Sequence, residues 1–279
     1  MITLVTTYYN EPDHLQKYVE AAKYFIRNSL IKRLIVVDDG SQKIPAKDVL
    51  VKEDDISLFV VDDDLGFNSH GARNLAAKHV ETDWIFFADI DVEIPPNTLK
   101  DLVENIFRTS VYDSRNNKSK MAEYINEEPC EFILRREFLD NVYYSFITGK
   151  RKKQSVNVFC IKQKDFWKSG GYDEEYVGMH HGDTRLFEKI NSYMNMKILD
   201  SFVHYRRRGR KFVYKRGGIT EYDDEKMIIV HPENRPEEKL YTISTPNIRE
   251  INALVEDRIK HPETWKDMKV CNFKWHQEF

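Results

Sequence analysis

Asp89-Ile90-Asp91 sets two carboxylates two positions apart at the end of the apolar run Trp84-Ile85-Phe86-Phe87-Ala88. On an extended backbone such residues leave the pleat on the same side, so near a strand end both acids can reach one hard divalent cation or its bound phosphates. That chemistry is that of a divalent-metal and diphosphate site. The same pattern is also a common polar strand exit, so the neighbours must decide. A second acid pair, Asp38-Asp39, follows the run Arg33-Leu34-Ile35-Val36-Val37, and Asp62-Asp63-Asp64 follows a third run at 56–61.

These tips need elements that bring them together. Residues 2–7 are β-branched and apolar, and Tyr8-Tyr9-Asn10-Glu11-Pro12 then turns into a segment with Leu15, Val19, Ala22 and Ile26 at helical spacing. An alanine-rich helix over 70–80, capped by Asn68 or Ser69, leads into the Trp84 strand. Strands alternating with helices predict an α/β fold with a mostly parallel sheet covered on both faces. Ligands of such sheets bind beyond the carboxyl ends of the strands, where the acids of Asp38-Asp39 and Asp89-Ile90-Asp91 would gather. Pro95-Pro96 closes the acidic loop and a helix starts at Asn97. Further strands are expected at 131–134, 155–161, 197–199 and 202–204, with helices after Gly182 and after Thr245. The stretch 109–120 reads as a polar crossing.

Composition narrows the class. The 279 residues carry 41% hydrophobic residues, enough for a substantial core, and a net charge of -3, which argues against wholesale polyanion binding. Cys130, Cys160 and Cys271 are odd in number and widely spaced, so they suggest neither a disulfide framework nor a zinc knuckle and fit a reducing cytoplasm. Neither a leader nor an apolar run long enough for an integral membrane span is expected. Charge is uneven: seven of the eleven residues at 206–216 are basic, and Lys150-Arg151-Lys152-Lys153 forms a second cluster.

Five pieces in order, Thr6-Thr7-Tyr8-Tyr9-Asn10, Val36-Val37-Asp38-Asp39-Gly40-Ser41, Gly71-Ala72-Arg73-Asn74, Asp89-Ile90-Asp91 and Gly170-Gly171-Tyr172-Asp173-Glu174, make the chain resemble the nucleotide-sugar glycosyltransferases of the GT-A fold, especially family 2. The resemblance covers roughly residues 1–205. It implies a Rossmann-like GT-A sheet with a C-terminal acceptor-side extension: a nucleotide-sugar half at 1–110, an acceptor half with a basic loop at 111–230, and a helical extension at 231–279. It implies that Thr7, Tyr9 and Asp39 hold the nucleotide base, that Arg73 lies near the diphosphate and that Asp89 contacts the ribose. Asp91 is the implied direct ligand of Mn²⁺ or Mg²⁺, with His204 as a further ligand. Asp183 is the implied general base of an inverting reaction.

The implied activity moves a single sugar, glucose or a similar hexose, from a UDP-sugar to an acceptor hydroxyl. The processive Gln-x-x-Arg-Trp signature is missing after Tyr205, and His180-His181 stands where the family more often has an aromatic residue, a glycine or a second acid. The bland readings remain: Tyr9 as a core aromatic, Asp39 as a turn cap, Arg73 as a solvated charge, His204 as a structural residue and Asp183 as a first-turn acid. The acceptor is expected to be a glycan or a modified base of phage DNA, and the basic loop could close over the diphosphate, grip nucleic-acid phosphates or a membrane surface carrying a lipid-linked sugar, or simply be solvated. A nucleotidyltransferase and a non-catalytic nucleotide-sugar-binding module are the competing classes.

Overall fold

β-Branched and aromatic runs bounded by Gly, Asp and Pro become the strands. The computed structural model describes residues 1–66, 68–114, 129–138, 153–177, 182–205, 211–215, 218–223, 226–229 and 245–279. Four parallel strands form its first half: β1 (Ile2–Tyr8), β2 (Arg33–Asp38), β3 (Ile56–Val61) and β4 (Trp84–Phe87). In register, Tyr8 lies opposite Asp38 and Val5 opposite Phe87, so the acid-bearing ends emerge along one edge. β5 (Val92–Glu93), β6 (Pro129–Phe138), β7 (Lys153–Lys162), β8 (Asn195–Tyr205) and β12 (Trp275–Gln277) complete the sheet in the order β12-β3-β2-β1-β4-β7-β6-β8-β5. Antiparallel pairing enters with β7 against β4 and β5 against β8.

Period-two alternation assigns each strand residue to one of two cores. Leu4, Val36, Leu58 and Phe86 pack against α1 (Pro12–Arg27) and α3 (Pro96–Ser114). Their neighbours Val5, Ile35, Val37, Ile85 and Phe87 pack on the other face against α2 (Ser69–Lys78), α4 (Gln163–Lys168) and α5 (Gly182–Asn191). The helix α2 is buried from Ser69 to Ala77, all but one of its residues. Gly71, Ala72, Ala76 and Ala77 are small enough to allow this, and a helix buried all round carries its polar side chains inward as well. The arginine and histidine of α2 are therefore interior residues.

The 206–216 stretch, read as a loop, contributes a strand. β9 (Lys211–Lys215) pairs with β10 (Gly218–Asp223), and β10 with β11 (Lys226–Ile229), in a separate antiparallel sheet. The remaining basic positions 206–210 and 216, the cluster at 150–152, His180-His181 and the part of the polar crossing beyond 114 lie outside the described residues.

The C-terminal segment holds the expected helix, α6 (Thr245–Lys260), and then returns to the sheet: β12 adds antiparallel to β3, with His276 opposite Val60. Three residues of edge strand leave too little pattern to be read in advance. His276 bonds Asp62 at 2.6 Å and Glu278 at 3.1 Å, and these acids raise its pKa above the ordinary value. A raised folded pKa means stability that is present below the unfolded histidine value of about 6.5 and lost as pH rises through the folded one. The imidazole is about half exposed. Screening therefore limits the effect to roughly 0.2–1 kcal/mol. The expected result is a small fall in thermal midpoint between about pH 6 and about pH 8 that is absent in His276→Ala.

Candidate active site

One end of the candidate site is built from the ends of β1 and β2. Asp38 is 1% exposed and spent on backbone: Oδ1 accepts from Ser41 N at 2.9 Å and Oδ2 from Ala46 N at 2.7 Å. Asn10, held at a positive φ of 52°, closes the same loop by accepting from Lys43 N and Ile44 N at 3.1 and 2.9 Å. Tyr8 donates to Ile44 O at 2.6 Å. With that loop fixed, Thr7 and Tyr9, two apart and half-buried, share one side of the β1 end, and Asp39 N donates to Tyr8 O at 2.9 Å. Tyr9 donates to Asp64 Oδ2 at 2.9 Å, which ties the loop after β3 to the end of β1. Gly40 permits that closeness: its φ is +77°, and an added Cβ would sit 2.8 Å from Asp63 O. Asp39, 2% exposed, accepts from Asn68 N at 3.0 Å at the N-terminus of α2, where the helix dipole favours a carboxylate.

From Asn68 to Arg73 the helix climbs about 7.5 Å. Arg73 has a side chain only 5% exposed, and its guanidinium bridges two acids. Nη2 donates to Asp89 Oδ1, and Nη1 donates to Asp183 Oδ1 at 2.6 Å and to Tyr172 Oη at 2.9 Å. Burial works against that charge, but Tyr172, Asp183 and Asp89 outweigh it, so the guanidinium stays firmly protonated. Asn157 donates to Asp89 Oδ2, so both oxygens of Asp89 are engaged. Tyr18 donates to Ala88 O at 3.3 Å; burial raises its pKa, and Asp89, Arg73 and Asp91 all lie within electrostatic reach of it.

Asp91 is half-buried on the α1 side, lining a cavity of about 130 Å³ with His14, Lys17 and Tyr18. The backbone of His204 lies opposite Glu93 in the β5–β8 ladder, two residues beyond Asp91; its side chain is outside the described ones. Among the described residues no group of three or more His, Cys, Asp or Glu forms a ready cation cage. A hard cation that keeps its waters and binds mainly through a diphosphate needs only one or two protein carboxylates. With Asp89 committed to Arg73 and Asn157, Asp91 fits that requirement.

The structure thus sets Thr7, Tyr9 and Asp39 at adjacent strand ends, links them through α2 to Asp89, and ties Asp89 to Asp183. Arg73 was expected near a diphosphate, and its hydrogen bonds go to two carboxylates and the Tyr172 hydroxyl. Asn74 and Tyr172 stood in the motif pieces without an assigned role, and Asn157 is a polar partner that local patterning did not single out. Asn157 offered one signal, an amide inside the apolar run Val156-Asn157-Val158-Phe159.

Comparison with known proteins places the fold in a family. The sequence model described as glycosyl transferase family 2 matches residues 3–162. Teichoic acid poly(glycerol phosphate) polymerase of Staphylococcus epidermidis is 25% identical over 206 residues, 73% of this chain and 26% of that polymerase, so the chain spans about a quarter of that relative. The crystal structure of S. aureus TarS is similar with a TM-score of 0.53 at 14% identity, covering 74% of this chain and 36% of that one. The structure of S. aureus TarS 1-349 in complex with UDP is similar with a TM-score of 0.50 at 14% identity, covering 73% and 59%. At such identities the structural likeness speaks for the fold. No helix among the described residues is long and apolar enough to cross a membrane.

Proposed function

The chain belongs to glycosyl transferase family 2, and from that premise we propose that it moves a single hexose from a UDP-sugar to an acceptor hydroxyl with inversion at the anomeric carbon. One observation carries the reading: a single buried guanidinium joins the donor-side acid Asp89 to Asp183. A sugar held beside Asp89 then lies by the same Arg73-linked cluster as Asp183, the acid proposed to face its anomeric carbon.

On this reading Tyr9 stacks on uracil, Asp39 accepts the imide N–H, Thr7 lines the same pocket and Asp89 meets the ribose. Asp183 takes the proton of the acceptor hydroxyl as that oxygen attacks. Mn²⁺ or Mg²⁺, held by Asp91 with His204 as a further ligand, would neutralise the negative charge on UDP as it leaves. The UDP complex of TarS supports a UDP donor. The basic residues of 206–216 and the relative named for poly(glycerol phosphate) support an anionic acceptor, a phosphate-bearing glycan polymer ahead of hydroxymethylated phage DNA.

The test is a screen of UDP-sugars, glucose first, with Mn²⁺, reading release of UDP. Free UDP is expected, whereas pyrophosphate released when UTP and a sugar phosphate are supplied instead would make the protein a nucleotidyltransferase, and no release from either would make it a binding module. Asp91→Ala is expected to lower the Mn²⁺-stimulated rate by about 100-fold or more. An unchanged rate would remove Asp91 from the donor site. Poly(glycerol phosphate) and hydroxymethylated DNA, added as acceptors in parallel, separate the two acceptor classes.

A further inference from the structure

We propose that Tyr172 is a positioning residue for Asp183: its hydroxyl and Arg73 together fix Oδ1, which leaves Oδ2 as the oxygen that receives the acceptor's proton. The inference rests on the role proposed for Asp183 as base and adds which atom works and what aims it.

Two donors converge on Oδ1, Arg73 Nη1 at 2.6 Å and Tyr172 Oη at 3.2 Å, and no donor among the described residues reaches Oδ2. The Asp183 side chain is 17% exposed. Tyr172 itself is 0% exposed, with His70 stacked at 5.2 Å, Phe87 and Phe166 packed round the ring, and the guanidinium 5.5 Å above it. Burial raises its pKa well above the ordinary value, so the hydroxyl remains a donor.

Its backbone is held as tightly as its ring. Asn74, next to Arg73, accepts from Tyr172 N at 2.9 Å and donates to Tyr172 O at 3.0 Å. The preceding Gly171 has φ +75°, and a Cβ there would lie 2.7 Å from Asn74 Oδ1. The Arg73-Asn74 pair therefore grips the Gly171-Tyr172 turn at both backbone and hydroxyl. A ring locked by packing and a hydroxyl locked by two charged partners amount to a preorganised support for the base.

The step this serves is balanced. The acceptor oxygen bonds to the anomeric carbon, its proton passes to Asp183 Oδ2, and the carbon–oxygen bond to the diphosphate breaks with its electron pair going to UDP. Without the Tyr172 hydroxyl the carboxylate can turn about its Cβ–Cγ bond and present Oδ2 less often.

Tyr172→Phe keeps the ring and deletes the donor. With the UDP-sugar found active in the screen, its kcat is expected to fall about 10- to 100-fold, the scale of one hydrogen bond to a charged group. The KM for the donor and the calorimetric affinity for UDP are expected to stay within about twofold. Asp183→Asn is expected to lose about 10²- to 10⁴-fold, and in that background Tyr172→Phe should change the residual rate by less than about twofold. A purely structural tyrosine would cost the same in both backgrounds, and that result overturns the proposal. So does an unchanged kcat in Tyr172→Phe, or a loss confined to donor KM. Full turnover in Asp183→Asn, or no UDP release with any donor, removes the parent reading and this inference with it. Loss in Asp183→Asn beside an unaffected Tyr172→Phe removes this inference alone.

Discussion

Arg73→Ala is expected to lower folding stability by about 3–5 kcal/mol and to abolish UDP release, the largest combined effect of any single change in the site. The guanidinium is 5% exposed, whereas its partners Asp89 and Asp183 are 24% and 17% exposed. Removing it leaves two carboxylates turned towards one another in a poorly solvated space, with the Tyr172 hydroxyl stripped of its strongest partner. Arg73→Lys should recover only part of the loss, because an ammonium is a point charge and cannot bridge two acids and a hydroxyl as a planar fork does. Urea unfolding measured beside donor turnover checks both halves. A stability loss below about 1 kcal/mol would mean that the bridge is not the buried ion pair described here.

Asp173→Ala is the second large effect, and it acts far from the acids after β4. Asp173 is 1% exposed and lies between two cations: Lys189 Nζ is 2.8 Å from Oδ2, and Arg258 of α6 donates to Oδ1 at 2.7 Å. Lys189 is 0% exposed and also donates to Gly171 O at 2.8 Å, while Arg258 continues to Glu175. One carboxylate thus fastens the Gly171–Tyr172 turn, α5 and the C-terminal helix together. Its removal strands a buried lysine, at an expected cost of about 3–5 kcal/mol, and frees α6 for proteolysis.

The pH dependence follows with its sign. Burial lowers the pKa of Lys189, and Asp173 opposes that shift. The folded state therefore binds fewer protons than the unfolded chain between the lowered value and the ordinary lysine value of about 10.5, and stability rises with pH across that window. Without Asp173 the lysine pKa falls further, so the rise should begin at lower pH in Asp173→Ala. A variant that matched the parent in urea midpoint and pH slope would show that Asp173 is not the counter-charge of this lysine.

Much of this protein was legible in its residues because the governing signals are local. Four apolar runs leading into Asp or Asn marked β1 to β4, helical spacing marked α1 and a capped alanine-rich stretch marked α2, so the acids had to appear at strand ends. Asp38-Asp39 marks where that legibility stops. The two acids are adjacent and chemically identical, yet Asp38 serves the backbone of the 41–46 loop and Asp39 the N-terminus of α2. Only the path of the loop decides between them.

Arg73 makes the same point over longer range. In the sequence it sits mid-helix, and whether it is solvated or buried depends on Asp89, 16 residues away, and Asp183, 110 residues away. Tyr172 and Asp173 looked like members of a turn, and they became a hydrogen-bond partner of Asp183 and the anchor of a C-terminal helix. The amino-acid order by itself determined which segments are strands and helices and which polar residues stand at their ends, because periodicity and turn chemistry act between near neighbours. The tertiary structure alone decided which of those polar groups share a proton or a charge, because burial brings distant segments together and a buried charge must find its partner there.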